Sequence, residues 1–399
     1  MKSVLLTSNL FLPNVGGIEN SLMNLAHEYA RQGYRVDIVC SDMNNASQAT
    51  LLANETLEDN IYVHRYPCKH AVIPKSLFMY YSAYRLMKVL KEQREYTIVL
   101  ARYHFNTIIS KWAGFERVQY LLPGIVKNQR KNERVVATAG RIRNLLRSLN
   151  NRYHHWLQKR AVKMADEIAV FSQNMVAQLK EVFSTIERPV RVYKPGVNLE
   201  RFNVPSSELK ITQKQKLGLP VNKSVLLAIG RFVGSKGFDK AIEAMASLGD
   251  SFVLCLVGEG AELPEYQQLI NELRLEDRVI IHPFTKTPEN YYQAADLFLM
   301  TSVYETLGQT VIEAQASGLP IAAFKPSSTV RTATLEITSS QTVVFSDEYC
   351  AKALAKAIEK AHVQIDSGIV SADDISQFAC SHFSWQTISK DIVAHQKYK

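Results

Sequence analysis

Two glutamates set eight positions apart, Glu305 and Glu313 in the stretch TSVYETLGQTVIEAQASGLP from Thr301 to Pro320, are the first candidates for chemistry in this chain. The apolar run Leu297 to Met300 before them reads as a short buried strand. Ser302 and Thr306 are residue types that cap helix N-termini, and a helical pattern follows through Leu307, Val311, Ala314, Gln315 and Gly318. This places Glu305 in the loop at the helix mouth. Glu313 falls about two turns further in, on the same side as Thr306. The backbone N–H groups of Leu307, Gly308, Gln309 and Thr310 are expected to point out of the helix end, where anions are favoured. Such a set suits a ligand with hydroxyls at both ends and phosphate between. An ordinary helix with one capping and one surface carboxylate gives the same spacing, so other segments must decide.

A second group lies upstream. Strand Ser224–Gly230 runs into GRFVGSKG, which sets Arg231 and Lys236 beside Gly230 and Gly237 at a strand end. Arginine as a bidentate fork and lysine as a point charge together fit a diphosphate, although a salt-bridged surface turn would use the same residues. Strand Phe252–Val257 ends in Gly258-Glu259-Gly260, and strand Val279–His282 ends in Pro283-Phe284. All four strands end in candidate loops, as a parallel sheet with ligands at its carboxyl edge requires.

The elements that carry these residues form two βαβ series. The first opens with strand Ser3–Ser8, the loop through Gly16 and Gly17, a helix from Glu19 to about Gln32, and strand Arg35–Cys40. Adjacent glycines before a helix permit close backbone approach of a phosphate. A dinucleotide fingerprint would need G-x-G-x-x-G, which is missing, but an NAD enzyme stays an alternative because Asp37 and Asp42 lie at a suitable distance. Strand Thr97–Ala101 leads to Arg102-Tyr103-His104, so Arg102 and His104 are candidates at a strand end. A lone histidine has a structural reading too.

At 399 residues, with 46% apolar and 21% charged residues, two globular domains are expected. The five cysteines are scattered, with no pair spaced for a metal or disulfide framework, which favours a reducing compartment. No run approaches a membrane span, and the N-terminus reads as a strand rather than a signal peptide. The net charge of +9 is concentrated between Lys127 and Lys163, where eleven Lys and Arg face only Glu133. Within it, Ile142, Leu145, Leu146, Leu149, Tyr153, Trp156 and Leu157 line one side of a helix whose remainder is basic. That pattern suits an anionic membrane surface, or a helix packed on the sheet with a solvated face. No groove-reading motif points to nucleic acid.

The E-x7-E spacing with its Ser-Gly-Leu-Pro ending, the GG loop, KPGVN (Lys194 to Asn198) with Arg201-Phe202, GRFVGSKG and GEG together resemble the retaining glycosyltransferases of family 4, glycosyl transferases group 1. The resemblance spans nearly the whole chain. It implies an α/β GT-B fold, with two Rossmann-like domains whose parallel sheets face each other across a cleft. Residues 1–198 would form the acceptor-side domain, 199–380 the nucleotide-sugar domain, and 381–399 a helix crossing back to the first. By the resemblance, Glu305 contacts the donor sugar and Glu313 holds the ribose hydroxyls. Gly16 and Gly17 approach the donor phosphates, Gly258 and Gly260 lie beside the nucleobase, and Pro283 and Phe284 lie near it. Two departures stand out: Pro123 occupies the place where many relatives carry a histidine, and KPSSTVRTATLE (Lys325 to Glu336) replaces a Gly-Gly turn.

The expected activity is transfer of a sugar from a nucleotide-diphosphate donor to a saccharide or lipid-linked saccharide, with retention of configuration, in surface polysaccharide or glycolipid synthesis. No cofactor and no metal are expected. The expected location is cytoplasmic, with association of segment 127–163 with the inner membrane face left open. A nucleotide-sugar epimerase and a non-catalytic nucleotide-sugar-binding protein are the alternatives that would use the same donor pocket.

Overall fold

Short apolar strands buried on both faces alternate with helices along the chain, the pattern that parallel sheets covered by crossover helices impose. A computed structural model describes residues 2–14, 16–44, 50–70, 72, 75–131, 141–184, 186 and 188–397. Its described residues divide into two compact units: those within 2–128, 141–196 and 385–397 make one, and those within 129–131 and 197–384 the other.

The first unit holds an eight-stranded sheet of β1 (Ser3–Thr7), β2 (Arg35–Ser41), β3 (Asn54–Glu58), β4 (Ile61–Tyr66), β5 (Tyr96–Ala101), β6 (Val118–Leu121), β7 (Glu167–Val170) and β8 (Val190–Val192). Their spatial order is β3-β4-β2-β1-β5-β6-β7-β8, and every pairing is parallel except β3 with β4. Val4, Leu5, Leu6, Val36 and Ile38 are fully buried at its centre. The edge strand β3 was not visible in the sequence. Its residues NETLE alternate between exposed and half-buried, and carry no apolar signal.

The second unit is built on β9 (Ser224–Ile229), β10 (Phe252–Val257), β11 (Val279–His282), β12 (Leu297–Met300), β14 (Ile321–Phe324) and β16 (Val343–Ser346), in the order β11-β10-β9-β12-β14-β16 and parallel throughout. The two-residue strands β13 (Tyr304–Glu305) and β15 (Arg331–Thr332) pair separately. One core layer gathers Leu226, Leu254, Ile242 and Ile358, and the opposite face gathers Leu227, Val311, Ile312 and Ile321. Both faces are therefore covered, and the strand ends are what the sheet leaves for chemistry.

The helix Trp385–Lys397 belongs to the first unit. Ile388, Ile392 and Val393 are buried, and Gln32 Nε2 donates to Ser389 Oγ at 2.6 Å. A Cβ on Gly196 would fall 2.4 Å from the Trp385 ring, so the chain passes the indole in close contact. Among the described residues, no helix is long and apolar enough to cross a membrane.

Candidate active site

In the second unit, the chain builds outward from β9 through β10 to β11, then returns to β9's other side with β12. The crevice outside the carboxyl ends of β9 and β12 is thus the switch point, where open α/β sheets bind ligands. Residues from both loops meet there. Lys236 closes the short 3-10 turn Gly234–Lys236 after β9, Glu305 stands in β13 after β12, and Lys236 Nζ donates to Glu305 Oε2 at 2.7 Å.

Burial alone would push the Glu305 carboxyl up. The Lys236 ammonium, with hydrogen bonds from Lys236 and from the backbone N–H groups of Gly308 and Leu307, outweighs burial and holds it below the usual carboxylate value. Glu305 is thus an ionised acceptor with a fixed direction. Its backbone is braced from behind, since Ala333 N donates to Glu305 O at 3.1 Å and Arg331 N to Val303 O at 2.7 Å.

The helix end differs from its sequence-based expectation. Ser302 and Thr306 do not cap it: the helix is Gln309–Ala316, and its cap is Gly308 in the left-handed region, at φ 75°. Only glycine adopts that geometry without penalty. Glu305 also lies in a strand rather than a loop. Its carboxylate takes the Leu307 and Gly308 N–H groups expected to face a ligand, because two donors within reach of a half-buried carboxylate satisfy it best. Gln309 and Thr310 begin the helix itself.

Glu313 lies one helical step deeper. Tyr292 Oη donates to its Oε2 at 3.0 Å, and the Gln309 side chain also hydrogen-bonds to it. Burial raises its pKa to about 7, against lowering by Tyr292, Arg201 and Gln309. Arg201 itself is held by Glu289 at 2.6 Å.

Around this pair, Gly230 and Gly258 follow β9 and β10 and lie against each other. A Cβ on Gly258 would fall 1.9 Å from Gly230 O, so no side chain fits there. A Cβ on Gly260 would fall 2.3 Å from Phe232 O. Arg231 is exposed and makes no ion pair among the described residues, while Pro283 and Phe284 are exposed just past β11. Arg231, Lys236, Glu305, Glu313, the three glycines and Pro283-Phe284 thus share the carboxyl edge of one sheet.

In the first unit the switch point falls between β1 and β5. Gly16 caps the helix Gly17–Arg31 in extended geometry without a side-chain hydrogen bond, and a Cβ on Gly17 would meet nothing within 4 Å. Arg102 follows β5 and is 2% exposed. His104 is not in a loop: it is the first residue of the helix His104–Trp112. It is buried, with Nε2 3.0 Å from His154 Nδ1.

Two contributors escaped the sequence reading. Tyr292 carried no sequence signal of a role, and only its register opposite Glu313 reveals a hydroxyl aimed at a carboxylate. The KPSSTVRTATLE segment lacked its glycines, yet its Arg331–Thr332 strand pairs with Tyr304–Glu305 and holds the backbone that carries Glu305.

A family model described as Glycosyltransferase Family 4 matches residues 15–201, and one described as Glycosyl transferases group 1 matches residues 210–363. A D-inositol 3-phosphate glycosyltransferase from Corynebacterium urealyticum is 27% identical over 249 residues, 59% of this chain and 57% of that protein. The lipopolysaccharide core biosynthesis glycosyltransferase LpsE from Rhizobium meliloti is 34% identical over 108 residues, 27% of this chain and 32% of that one. The chain spans about half the length of the curated relatives it matches. Among solved structures, Anabaena HepE in complex with UDP and glucose is similar over 100% of both chains, with a TM-score of 0.74 at 19% identity.

Proposed function

Because the chain belongs to the family-4 glycosyltransferases, glycosyl transferases group 1, with the GT-B fold, we propose that it transfers a sugar from a nucleoside-diphosphate donor to a hydroxyl of a saccharide or lipid-linked saccharide, with retention of configuration. The observation that carries this reading is the Lys236–Glu305 pair at the β9/β12 switch point, with Glu313 half-buried beyond it.

In the reaction, the bond from the sugar's anomeric carbon to the diphosphate breaks, the acceptor oxygen bonds to that carbon, and the acceptor's proton leaves with the departing phosphate oxygen. The growing negative charge on the diphosphate is the main demand, and a preorganised cation meets it at no reorganisation cost. Arg231 offers a fork and Lys236 a second charge. Lys236 has three donors and spends one on Glu305, which leaves two for phosphate oxygens. Glu305, ionised and fixed, accepts hydroxyls of the donor sugar, and Glu313 accepts those of the ribose. No metal is required in this scheme. No side chain is assigned as a nucleophile, so departure and attack occur on the same face of the sugar.

A surface polysaccharide or glycolipid is the proposed setting, supported by the lipopolysaccharide enzyme among the relatives. Membrane docking is proposed through the helix Arg141–Met164. Of the apolar residues expected to line one side of this helix, Leu145, Leu146, Leu149, Tyr153 and Trp156 are exposed, Leu146 by 61%, and Leu157 is buried. Arg147, Arg152 and Arg160 share the helix, and Arg160 sits 5.1 Å over the Trp156 ring. Glu133 and Arg134 of the basic segment lie outside the described residues.

The test is thermal stabilisation by UDP, GDP, ADP and their sugar conjugates. A shift with one nucleotide, larger with one conjugate, is expected, since a ligand at a hundred times its Kd adds about 2.7 kcal/mol. No shift across the panel overturns the donor assignment. Turnover of the conjugate without any acceptor would replace transfer by epimerisation.

A further inference from the structure

The first unit contains a fully buried cation that donates to nothing. Arg102 is 2% exposed, its Nε and Nη1 are buried without a hydrogen-bond partner, and its side chain makes no ion pair among the described residues. Its guanidinium carbon lies 4.9 Å over the Phe171 ring, a contact that holds the group but satisfies none of its five N–H donors. Carrying a guanidinium out of water without an acceptor costs several kcal/mol, and folded proteins retain such a group where something else completes it. Burial accordingly drags its pKa down to about 10.

The surroundings specify what completes it. Arg102 follows β5 at the β1/β5 switch point, and its backbone N–H is tied to Thr7 O at 2.8 Å. Asn106 Nδ2 donates to Thr7 Oγ1 at 2.7 Å, fixing the two strand ends together. Glu19, in the first turn of the helix Gly17–Arg31, is close enough for each charge to act on the other, yet the two form no ion pair. The Glu19 carboxylate itself lies at the N-terminus of that 15-residue helix: it accepts its own backbone N–H, and a Cβ on Gly16 would fall 2.6 Å from its Oε2. A planar fork of donors with no acceptor of its own is matched to a tetrahedral or planar oxyanion.

We propose that Arg102 binds an anionic group, a phosphate or a carboxylate, carried by the acceptor, so that the acceptor is an acidic or phosphorylated sugar rather than a neutral one. This rests on the glycosyltransferase reading, in which the first unit receives the acceptor. Glu19 opposes the anion and sharpens the choice, admitting an oxyanion only where it meets Arg102.

The experiment compares the full-length protein with Arg102→Met and Glu19→Gln, using inorganic phosphate, glucose 6-phosphate, glucuronate and glucose as probes and UDP as a control. Phosphate and at least one of the two charged sugars should stabilise the wild type thermally, and glucose should not. In Arg102→Met their affinity should fall about ten- to a hundredfold, the range for a hydrogen bond to a charged group. The melting temperature of that variant without ligand should stay level or rise, because an unpaired buried charge is gone. Glu19→Gln should bind the anions more tightly. A lowered melting temperature with unchanged anion binding in Arg102→Met would make Arg102 purely structural and overturn the proposal. Loss of the UDP shift in the same variant would assign the anion to the donor instead, which also overturns it. Turnover with a neutral acceptor, unchanged in Arg102→Met, would sink the proposal while leaving the glycosyltransferase reading intact. Absence of any shift with UDP, GDP and ADP alike in the wild type would strike that reading itself.

Discussion

At the scale of single residues, the candidate site is an argument about where charge is held. Lys236 bridges Glu305 at 2.7 Å and is proposed to face the departing diphosphate as well. Lys236→Ala is therefore expected to lower kcat by about 10²–10³, the cost of losing one preorganised donor, in a steady-state assay with the donor found by thermal shift. Wild-type turnover in that variant would remove Lys236 from the mechanism. Glu313 supports a pH prediction. Its folded pKa, about 7, lies above its ordinary 4.5, so between those values the folded state binds more protons than the unfolded one. Stability should accordingly decline as pH rises from about 4.5 to about 7, and Glu313→Gln should flatten that part of a melting-temperature profile. Donor affinity should move the opposite way, rising through about pH 7 as the carboxylate becomes a pure acceptor. The placement of Arg231, Lys236 and Glu305 just past the carboxyl ends of their strands was legible from residue type and spacing. What was not legible was partnership: Glu305 consuming two N–H groups, or Tyr292 reaching Glu313, depends on contacts between segments that no local pattern encodes.

At the scale of elements, the parallel strands were readable because burial on both faces demands unbroken apolar runs, as in FVLCLV of β10. Strand β3 and the helix start at Gln309 were not. An exposed edge strand has no core face to advertise, and Gly308 replaced the two better-known capping types. The turn between β10 and its following helix allows a stringent check. Gly258→Ala would drive a methyl to within 1.9 Å of Gly230 O, and backbone cannot yield there as a side-chain tip can. A melting temperature lower by several degrees, together with lost nucleotide stabilisation, is expected. A native melting curve would show the strand ends to be looser than described. The helix Arg141–Met164 makes a separate claim. Vesicles containing phosphatidylglycerol should sediment the protein, less so at high salt, and a Leu146→Ser/Trp156→Ser variant should stay in the supernatant without loss of fold, since both side chains are exposed. Equal sedimentation of wild type and variant would leave the patch without a membrane role.

At the scale of the whole molecule, two βαβ units were foreseeable from the restart of the strand–helix rhythm at Ser224. Exhaustive chelation should leave turnover within about twofold if side-chain cations and not a bound metal supply the charge stabilisation; a collapse restored by magnesium or manganese would reassign that role. The first unit is assembled from separated pieces of chain, with its last helix, Trp385–Lys397, following the entire second unit. During synthesis at about 5–20 residues per second, roughly 190 residues separate the emergence of Gly196 from that of Trp385, a delay of about ten to forty seconds. Throughout that interval the flank of Gln32 and Gly196 lacks its cover, while the second unit can already fold. Ribosome-arrested chains ending near residue 384 should thus be cleaved by protease in the first unit, where the released protein resists. Equal resistance would mean that the late helix adds nothing to that unit. The order in which the ribosome delivers the pieces makes the first unit the last to mature, although its sheet is the first to be made.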